Sequence, residues 1–474
     1  MQLSELIAGL PVQAFNLKDI EISAIEFDSR KIKTGAIYIA LKGARFDGHD
    51  FVVDAEEKGA VAVITQERVE TALPQVVVKC TRAILGTLAK RFYGDFSKMT
   101  KVGITGTNGK TTTSFLIHSI LKQAGRNPGL IGTIYYQGST KTKAVRTTPE
   151  ILDIMKLLRA FETDGIDSLV MEVSSHALKL RRVEEIAFDV AVFTNLTQDH
   201  LDFHKTMDDY RNSKLHIFTL LKENGYGVYN GDEESGQLIR ALPIANKISF
   251  GVQTESDITA RILDASLSGS TLEISCDEEI YRVSTSLIGG FNVYNILAAF
   301  ASGVALGLER EDVVKGIEGV KSVRGRLERI VDNVFVDFAH TPSAIEKILE
   351  TVKQHARGRV IIVFGCGGDR DRDKRPKMGT IASGLADLAV ITSDNPRCEP
   401  PKQIIDDIMQ GVVGNNHKII EDRAAAIQYA IAAKEADDVV IVAGKGHEEY
   451  QIVNEERFKF NDTEVIRKCF ASSC

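Results

Sequence analysis

The residues best suited to chemistry stand together at Gly106-Thr107-Asn108-Gly109-Lys110-Thr111-Thr112, directly after the apolar run KVGIT and before a helical pattern that continues to Gln123. A strand feeding a glycine-rich turn and then a helix places backbone N–H groups and the positive helix end around a phosphate. Lys110 adds a charge, and the Thr111 hydroxyl can ligate Mg²⁺. The segment departs from the general G-x-x-x-x-G-K-[ST] form, because Ile104 stands where its first glycine belongs. The bland alternative is a tight turn whose glycines merely permit packing. Lys-Thr directly after the second glycine favours nucleotide binding.

Other candidates follow strands. Glu172 ends the apolar run 168–173, and His200 lies in Thr197-Gln198-Asp199-His200-Leu201-Asp202, just past the run 190–194. Side chains at strand C-termini of an open α/β sheet converge on its ligand crevice, so both can reach a cation beside the phosphate loop. Taken alone, a histidine beside aspartate is an ordinary structural pair, and Lys214, on a helix, reads as a solvated surface lysine. Ser174-Ser175-His176 contains a serine and a histidine, but no G-x-S-x-G elbow surrounds it.

Three further motifs each follow a buried-strand pattern: Gly367-Gly368-Asp369-Arg370-Asp371 after VIIVFG, Asp394-Asn395-Pro396-Arg397 after LAVITS, and Gly444-Lys445-Gly446-His447-Glu448 after VVIVAG. Arginine can grip a carboxylate with two parallel hydrogen bonds, while asparagine or aspartate receives an ammonium. Together they suit the zwitterionic end of an amino acid. Read singly, Asp394–Arg397 is an Asp-Asn-Pro turn carrying an exposed arginine.

These motifs need elements to hold them. Residues 1–98 read as a small α/β domain, with short apolar runs separated by the turn-like KGARFDG and the amphipathic VVDAEEKGA. A second domain, 99–322, starts with the phosphate-loop strand, has helices expected around 207–221 and 292–306, and is richer in strand over 226–288. A third, 323–474, alternates strand and helix in the manner of a parallel sheet with crossover helices. A chain of 474 residues exceeds one hydrophobic core, and 43% hydrophobic with 26% charged residues is ordinary globular composition. The net charge of −7 argues against a general nucleic-acid-binding surface. Six scattered cysteines without CxxC spacing fit neither a zinc site nor a disulfide framework and point to a reducing cytoplasm. No run approaches the roughly 18 apolar residues of a membrane span, and the N-terminus lacks a signal-peptide pattern.

GITGTNGKTTT, followed in order by EVSSHAL, NLTQDHLDFH, GGFNVYN, GRLE and VDFAHTP, resembles the Mur ligase family and its folylpolyglutamate synthetase relatives. The resemblance runs through all three domains. It implies an α/β chain of three domains: an N-terminal domain for a UDP-sugar, a central P-loop ATP domain with a mainly parallel sheet, and a Rossmann-like C-terminal domain for an amino acid. It implies ATP as co-substrate and Mg²⁺ held by Thr111, Glu172, His200 and Lys214, the lysine as a carbamate. Lys110, Glu172, His200 and Lys214 then form the catalytic set. Asn295 matches an adenine contact, and Arg326 and Asp337 match contacts to phosphate and ribose, with His340 nearby. Ser29 falls at the UDP portion, and Thr147, Thr148, Ser174 and Arg182 at the muramoyl dipeptide. Some relatives place a glutamine at the position of Leu180. Arg370, Asp394, Asn395, Pro396, Arg397, Gly444 and Glu448 resemble the diaminopimelate-adding branch, which implies addition of meso-diaminopimelate to UDP-N-acetylmuramoyl-L-alanyl-D-glutamate by a monomeric cytoplasmic enzyme that uses only small-molecule partners. Two rivals remain at this point: the same ligation with L-lysine, and a P-loop ATPase switch that needs no amino acid.

Overall fold

The computed structural model describes residues 1–43, 46–454 and 456–471. Ala44 and Arg45 of the expected KGARFDG turn, and Cys474, lie outside them. Compact packing groups the chain into two units: Met1–Lys101 with Asn127–Asp189 and Thr219–Lys222, and Val102–Arg126 with Val190–Phe218 and the residues from Glu223 onward. The expected central segment 99–322 therefore contributes to both. Among the described residues no helix is long and apolar enough to cross a membrane.

The first unit holds a five-stranded sheet in which Ala24–Glu26, Ala36–Ile39, Ala60–Thr65 and Gln75–Val77 run parallel and Gln13–Phe15 closes one edge antiparallel. The unit also contains the parallel pair Pro128–Ile131 and Ser168–Glu172. All five residues of Ser168–Glu172 are buried. The strand therefore delivers Glu172 from inside the fold.

In the second unit Phe188–Phe193 runs parallel to Thr100–Thr105, pairing Val190 with Val102 and Phe193 with Thr105. The phosphate loop leaves this strand and enters the helix Lys110–Gln123. The strand-rich stretch is real: Leu221–Asn230 and Asn246–Gly251 pair in parallel, and Ile258–Ser266, Gly269–Cys276 and Glu279–Thr285 form an antiparallel meander. The helix expected over 207–221 is shorter. It ends at Leu215, passes through a 3₁₀ turn at His216–Leu220 and becomes the strand Leu221–Asn230.

The same unit contains a six-stranded sheet ordered Glu328–Val331, Val334–Asp337, Val439–Ala443, Val360–Phe364, Leu388–Ile391 and His417–Ile419. Every pairing but the first is parallel. Alternation along each strand splits the core into two layers. Ile362, Phe364, Ile391 and Ile441 pack with Ile345, Met378 and Ile405 on one face, while Ile361, Val363, Val440 and Val442 pack with Ala426, Ile427 and Ile466 on the other. Strands buried on both sides read as unbroken apolar runs, which is why these were legible as a parallel sheet. One polar pair is sealed into the second layer: Arg423 and Asp462, both buried, are joined by two 2.8 Å contacts, and Arg423 Nη2 donates to the Ala443 carbonyl at 2.9 Å.

Candidate active site

Short side chains and backbone hold the phosphate loop. Asn108 N donates to Asn195 Oδ1 at 2.9 Å, and Thr194 Oγ1 donates to the Asn108 carbonyl at 2.6 Å. Thr107 Oγ1 lies 3.1 Å from the Tyr210 hydroxyl. Gly109 has φ +87°, and a Cβ there would come within 2.2 Å of Asn295 Oδ1. Only glycine fits, by conformation and by space. Asn295, read from the sequence as an adenine contact, thus lies against the loop itself, with its Nδ2 donating to Asn292 Oδ1 at 2.8 Å. Arg326 reaches the same loop, since its Nη2 donates to Thr111 Oγ1 at 2.9 Å. It is no ordinary surface arginine.

Lys214 is buried, contrary to the surface lysine that its helix suggested. Its Nζ donates to the Gly106 carbonyl at 2.7 Å, and Lys110 Nζ donates to the same carbonyl at 2.8 Å and to that of Thr107 at 2.9 Å. Burial, then the charge of Lys110, pushes Lys214 well below its ordinary range. Both effects favour the uncharged amine.

Around these lysines the charges alternate. Burial opposes ionisation of Asp199, but His200, His340, Lys374 and the His200 N–H outweigh it and hold the carboxyl low. His340 is pushed down by burial and then by Lys374. Its Nδ1 lies 2.7 Å from the Phe338 carbonyl, which can only accept, so that nitrogen carries the proton. Asp337, expected at the ribose, accepts from Leu327 N and Ala339 N at 2.6 Å each, and burial raises its pKa. It organises the turn that presents Arg326.

The amino-acid motifs meet at the C-terminal ends of three strands of the six-stranded sheet. Asn395 is their hub. Its Nδ2 donates to Glu448 Oε2 at 2.8 Å, and its Oδ1 accepts from Lys445 Nζ at 2.9 Å and Ile452 N at 3.0 Å. Lys445 Nζ also lies 3.1 Å from Glu448 Oε2. Arg397 Nη1 donates to the Gly368 carbonyl at 2.7 Å, and the Asp394 carbonyl accepts from Gln451 Nε2 at 2.7 Å. Arg370 is exposed, with its Nη1 donating to the Asp369 carbonyl at 3.1 Å.

In the first unit, the expected muramoyl-dipeptide residues form a cluster of their own. Thr148 Oγ1 donates to the Glu172 carbonyl at 2.8 Å and accepts from Ser174 N at 3.0 Å, and Thr133 Oγ1 lies 3.2 Å from Thr147 Oγ1. The Glu172 carboxylate accepts Thr133 N and Thr133 Oγ1, both at 2.8 Å. Ser174 Oγ caps the helix Ser175–Lys179 by accepting Ala177 N, so it serves as a helix cap rather than an activated nucleophile. Arg182 lies 2.9 Å from Glu150, as does Arg146, and Arg82 lies 3.1 Å from it. Three guanidiniums on one carboxylate leave an excess of positive charge suited to an anion. Ser29, buried, heads the 3₁₀ turn Ser29–Lys31 behind Asp28.

The chain matches the description "Mur ligase family, catalytic domain" over residues 21–93, "Mur ligase middle domain" over 104–303 and "Mur ligase, glutamate ligase domain" over 325–446. It is 44% identical to the UDP-N-acetylmuramoyl-L-alanyl-D-glutamate–2,6-diaminopimelate ligase of Bacillus cereus over 94% of each chain, and 41% identical to that of Bacillus velezensis over 98% of each. The chain belongs to the Mur ligase family. A solved structure of a ligase of the same description superposes with a TM-score of 0.70 at 31% identity, covering 100% of this chain and 99% of that one.

Several residues of this Mur ligase site carried no individual signal in the sequence. Asn195 and Lys445 sat inside quoted motifs without assigned roles. Arg82, Arg146, Glu150, Lys374, Arg375 and Glu399 lay outside them. Charged residues act here through partners distant in sequence, which spacing alone cannot reveal.

Proposed function

We propose that the protein joins meso-2,6-diaminopimelate to the γ-carboxylate of the D-glutamyl residue of UDP-N-acetylmuramoyl-L-alanyl-D-glutamate, consuming ATP, in peptidoglycan assembly. One observation carries the choice of amino acid: the pocket that presents Glu448 on Asn395 also brings Arg397 and Arg370 together beside Gly367, and burial, then the Arg370 charge, holds the Arg397 guanidinium below its ordinary range. A second carboxylate relieves that repulsion; the side chain of L-lysine offers none. The full-length relatives named for diaminopimelate ligation support the same reading. On this reading segments 1–98, 99–322 and 323–474 carry the UDP-sugar, ATP and amino-acid sites.

The γ-carboxylate oxygen attacks the γ-phosphorus of ATP, ADP departs, and an acyl phosphate forms. The amine of diaminopimelate then adds to its carbonyl and loses a proton, and the tetrahedral intermediate expels inorganic phosphate. Two anions must meet, so the protein's task is positioning and charge stabilisation. Lys110 and the loop N–H groups receive the phosphates, and Arg326 brings a second cation to Thr111. Glu448 receives an ammonium of the incoming amino acid, and Arg397 its carboxylate.

Thr111, His200 and Lys214 as a carbamate, all of the second unit, would hold Mg²⁺. The donor set of hydroxyl, carbamate and imidazole suits a hard cation, which when bound offsets phosphate charge. An ammonium could not take part. The shared Gly106 carbonyl favours modification, because CO₂ adding to the neutral Lys214 amine, with release of one proton, turns a group that Lys110 disfavours as a cation into an anion that Lys110 attracts. Lys214→Ala should lose activity about 10²-fold or more and partly regain it with short-chain carboxylic acids. A fully active alanine variant would end the carbamate reading.

The deciding assay is phosphate release with Mg-ATP and UDP-N-acetylmuramoyl-L-alanyl-D-glutamate, comparing meso-diaminopimelate, L-lysine and no addition. Tripeptide formed only with meso-diaminopimelate is expected. Product with L-lysine alone overturns the amino-acid assignment, and hydrolysis independent of any amino acid overturns the ligase reading.

A further inference from the structure

Arg370 and Arg397 are like charges on neighbouring loops, and burial followed by Arg370 pushes the Arg397 guanidinium below its ordinary range. Before a carboxylate arrives, the fold itself must hold the two loops together. Their backbones are in direct contact. Gly368 N donates to the Asn395 carbonyl at 2.9 Å, and a Cβ on Gly368 would fall 1.9 Å from the Pro396 carbonyl oxygen, so no side chain fits there. Asp369 and Arg397 adopt φ of +52° and +53°, a left-handed conformation that costs energy in residues with a Cβ. Such strain persists only where surrounding contacts over-determine it.

Those contacts converge on Glu399. Its Oε1 accepts the Asp369 N–H at 2.5 Å and Arg375 Nη2 at 2.9 Å, and its Oε2 accepts Arg375 Nη1 at 3.0 Å and Arg372 Nη2 at 2.9 Å. The carboxylate thus ties its own loop to the backbone of the other. Arg375 is fully buried, donates also to Asp407 Oδ2 at 2.8 Å, and so fastens the clamp to the helix Pro401–Met409. Arg375 is wholly enclosed between these two carboxylates. Its influence passes through Glu399 to the loops that carry Arg370 and Arg397.

We infer that Arg375 and Glu399 are positioning residues that set the preference for an amino acid with a second carboxylate, by holding two mutually repelling guanidiniums at a fixed spacing. The inference rests on the reading of this pocket as the diaminopimelate site. Glu399→Gln keeps the shape and removes the charge; Arg375→Lys removes the planar fork. Glu399→Gln should raise KM for meso-diaminopimelate about tenfold or more while leaving KM for ATP unchanged, and should lower the diaminopimelate-over-lysine ratio of kcat/KM by a similar factor. Hydrogen exchange should quicken at 366–373 and 394–399 while the strands Val360–Phe364 and Val439–Ala443 keep their protection. Arg375→Lys, if it folds, should show the same pattern; if not, Glu399→Gln carries the test. A folded Glu399→Gln variant with wild-type KM and selectivity overturns the inference, as does uniform loss towards every substrate with core exchange. If the wild type itself makes no use of diaminopimelate, the pocket reading fails, while the exchange experiment still reports whether the clamp holds the loops.

Discussion

The phosphate loop and the amino-acid pocket are built in opposite ways. Gly106–Thr112 is contiguous, and asparagines, threonines and the cations Lys110, Lys214 and Arg326 meet it mainly at backbone groups and hydroxyls. The amino-acid pocket is assembled from three separated loops and held by charged groups taken out of water: Lys445 against Glu448, Arg375 against Glu399 and Asp407, Arg423 against Asp462. A ligand shared by many proteins can be held by backbone geometry, which a short motif encodes. Choosing one amino acid takes point charges at fixed spacing, and their bracing comes from far along the chain.

That contrast can be broken by substitution, beginning with the largest effect. Lys110→Ala should lower kcat about 10³-fold, because its charge acts at the phosphates, with little change in KM for the amino acid. Arg397→Ala should cost about 10²-fold in kcat/KM for meso-diaminopimelate and leave ATP binding, read by calorimetry, unchanged. Equal loss of both ligands would show that the two sites are not separable. Ser174→Ala removes a helix cap at the expected dipeptide site and should cost about 1 kcal/mol in urea unfolding and raise KM for the UDP-dipeptide with kcat largely kept, whereas abolished turnover at full stability would revive a nucleophilic serine.

The smallest effect is one of pH. Arg375 holds the Glu399 carboxyl down to about 2, from an ordinary 4.5. A folded-state value below the unfolded one means that the clamp's contribution is fully present above the ordinary carboxylate range and is lost as pH falls from about 4.5 towards 2. Hydrogen exchange of 366–373 should therefore be pH-corrected constant from pH 7 to about 5 and rise below that. Glu399→Gln should abolish the step.

The sequence made the two constructions unequally legible. The phosphate loop, its strand and the helix to Gln123 were readable because their determinants are adjacent, and the parallel strands because burial on both faces leaves unbroken apolar runs. Lys214 was picked out only through the family resemblance: helix periodicity places a side chain on a face but not what covers that face. The early stop at Leu215 was missed since the following apolar residues suit a helix and a strand equally. The short edge strand His417–Ile419 is too brief to show a pattern, while the helix Asp462–Ala471 went unread although Val465, Ile466, Cys469 and Phe470 recur at helical spacing. Arg375 and Glu399 stood outside every motif because each acquires meaning only from the other, across 24 residues of chain.

The sealed Arg423–Asp462 pair carries a consequence for biosynthesis. Asp462 is translated 39 residues after Arg423, and the Ala443 carbonyl that Arg423 also holds is translated between them. Until Asp462 emerges from the ribosome, the nascent core would enclose an uncompensated cation, an arrangement unfavourable enough to keep that layer open. The phosphate loop can close around its asparagines well before this. The pocket that chooses the amino acid is thus the later part of the enzyme to mature, and a nascent chain stalled between the two residues would have its phosphate-binding turn in place while the strand end beneath Gly444 still lacked its anchor.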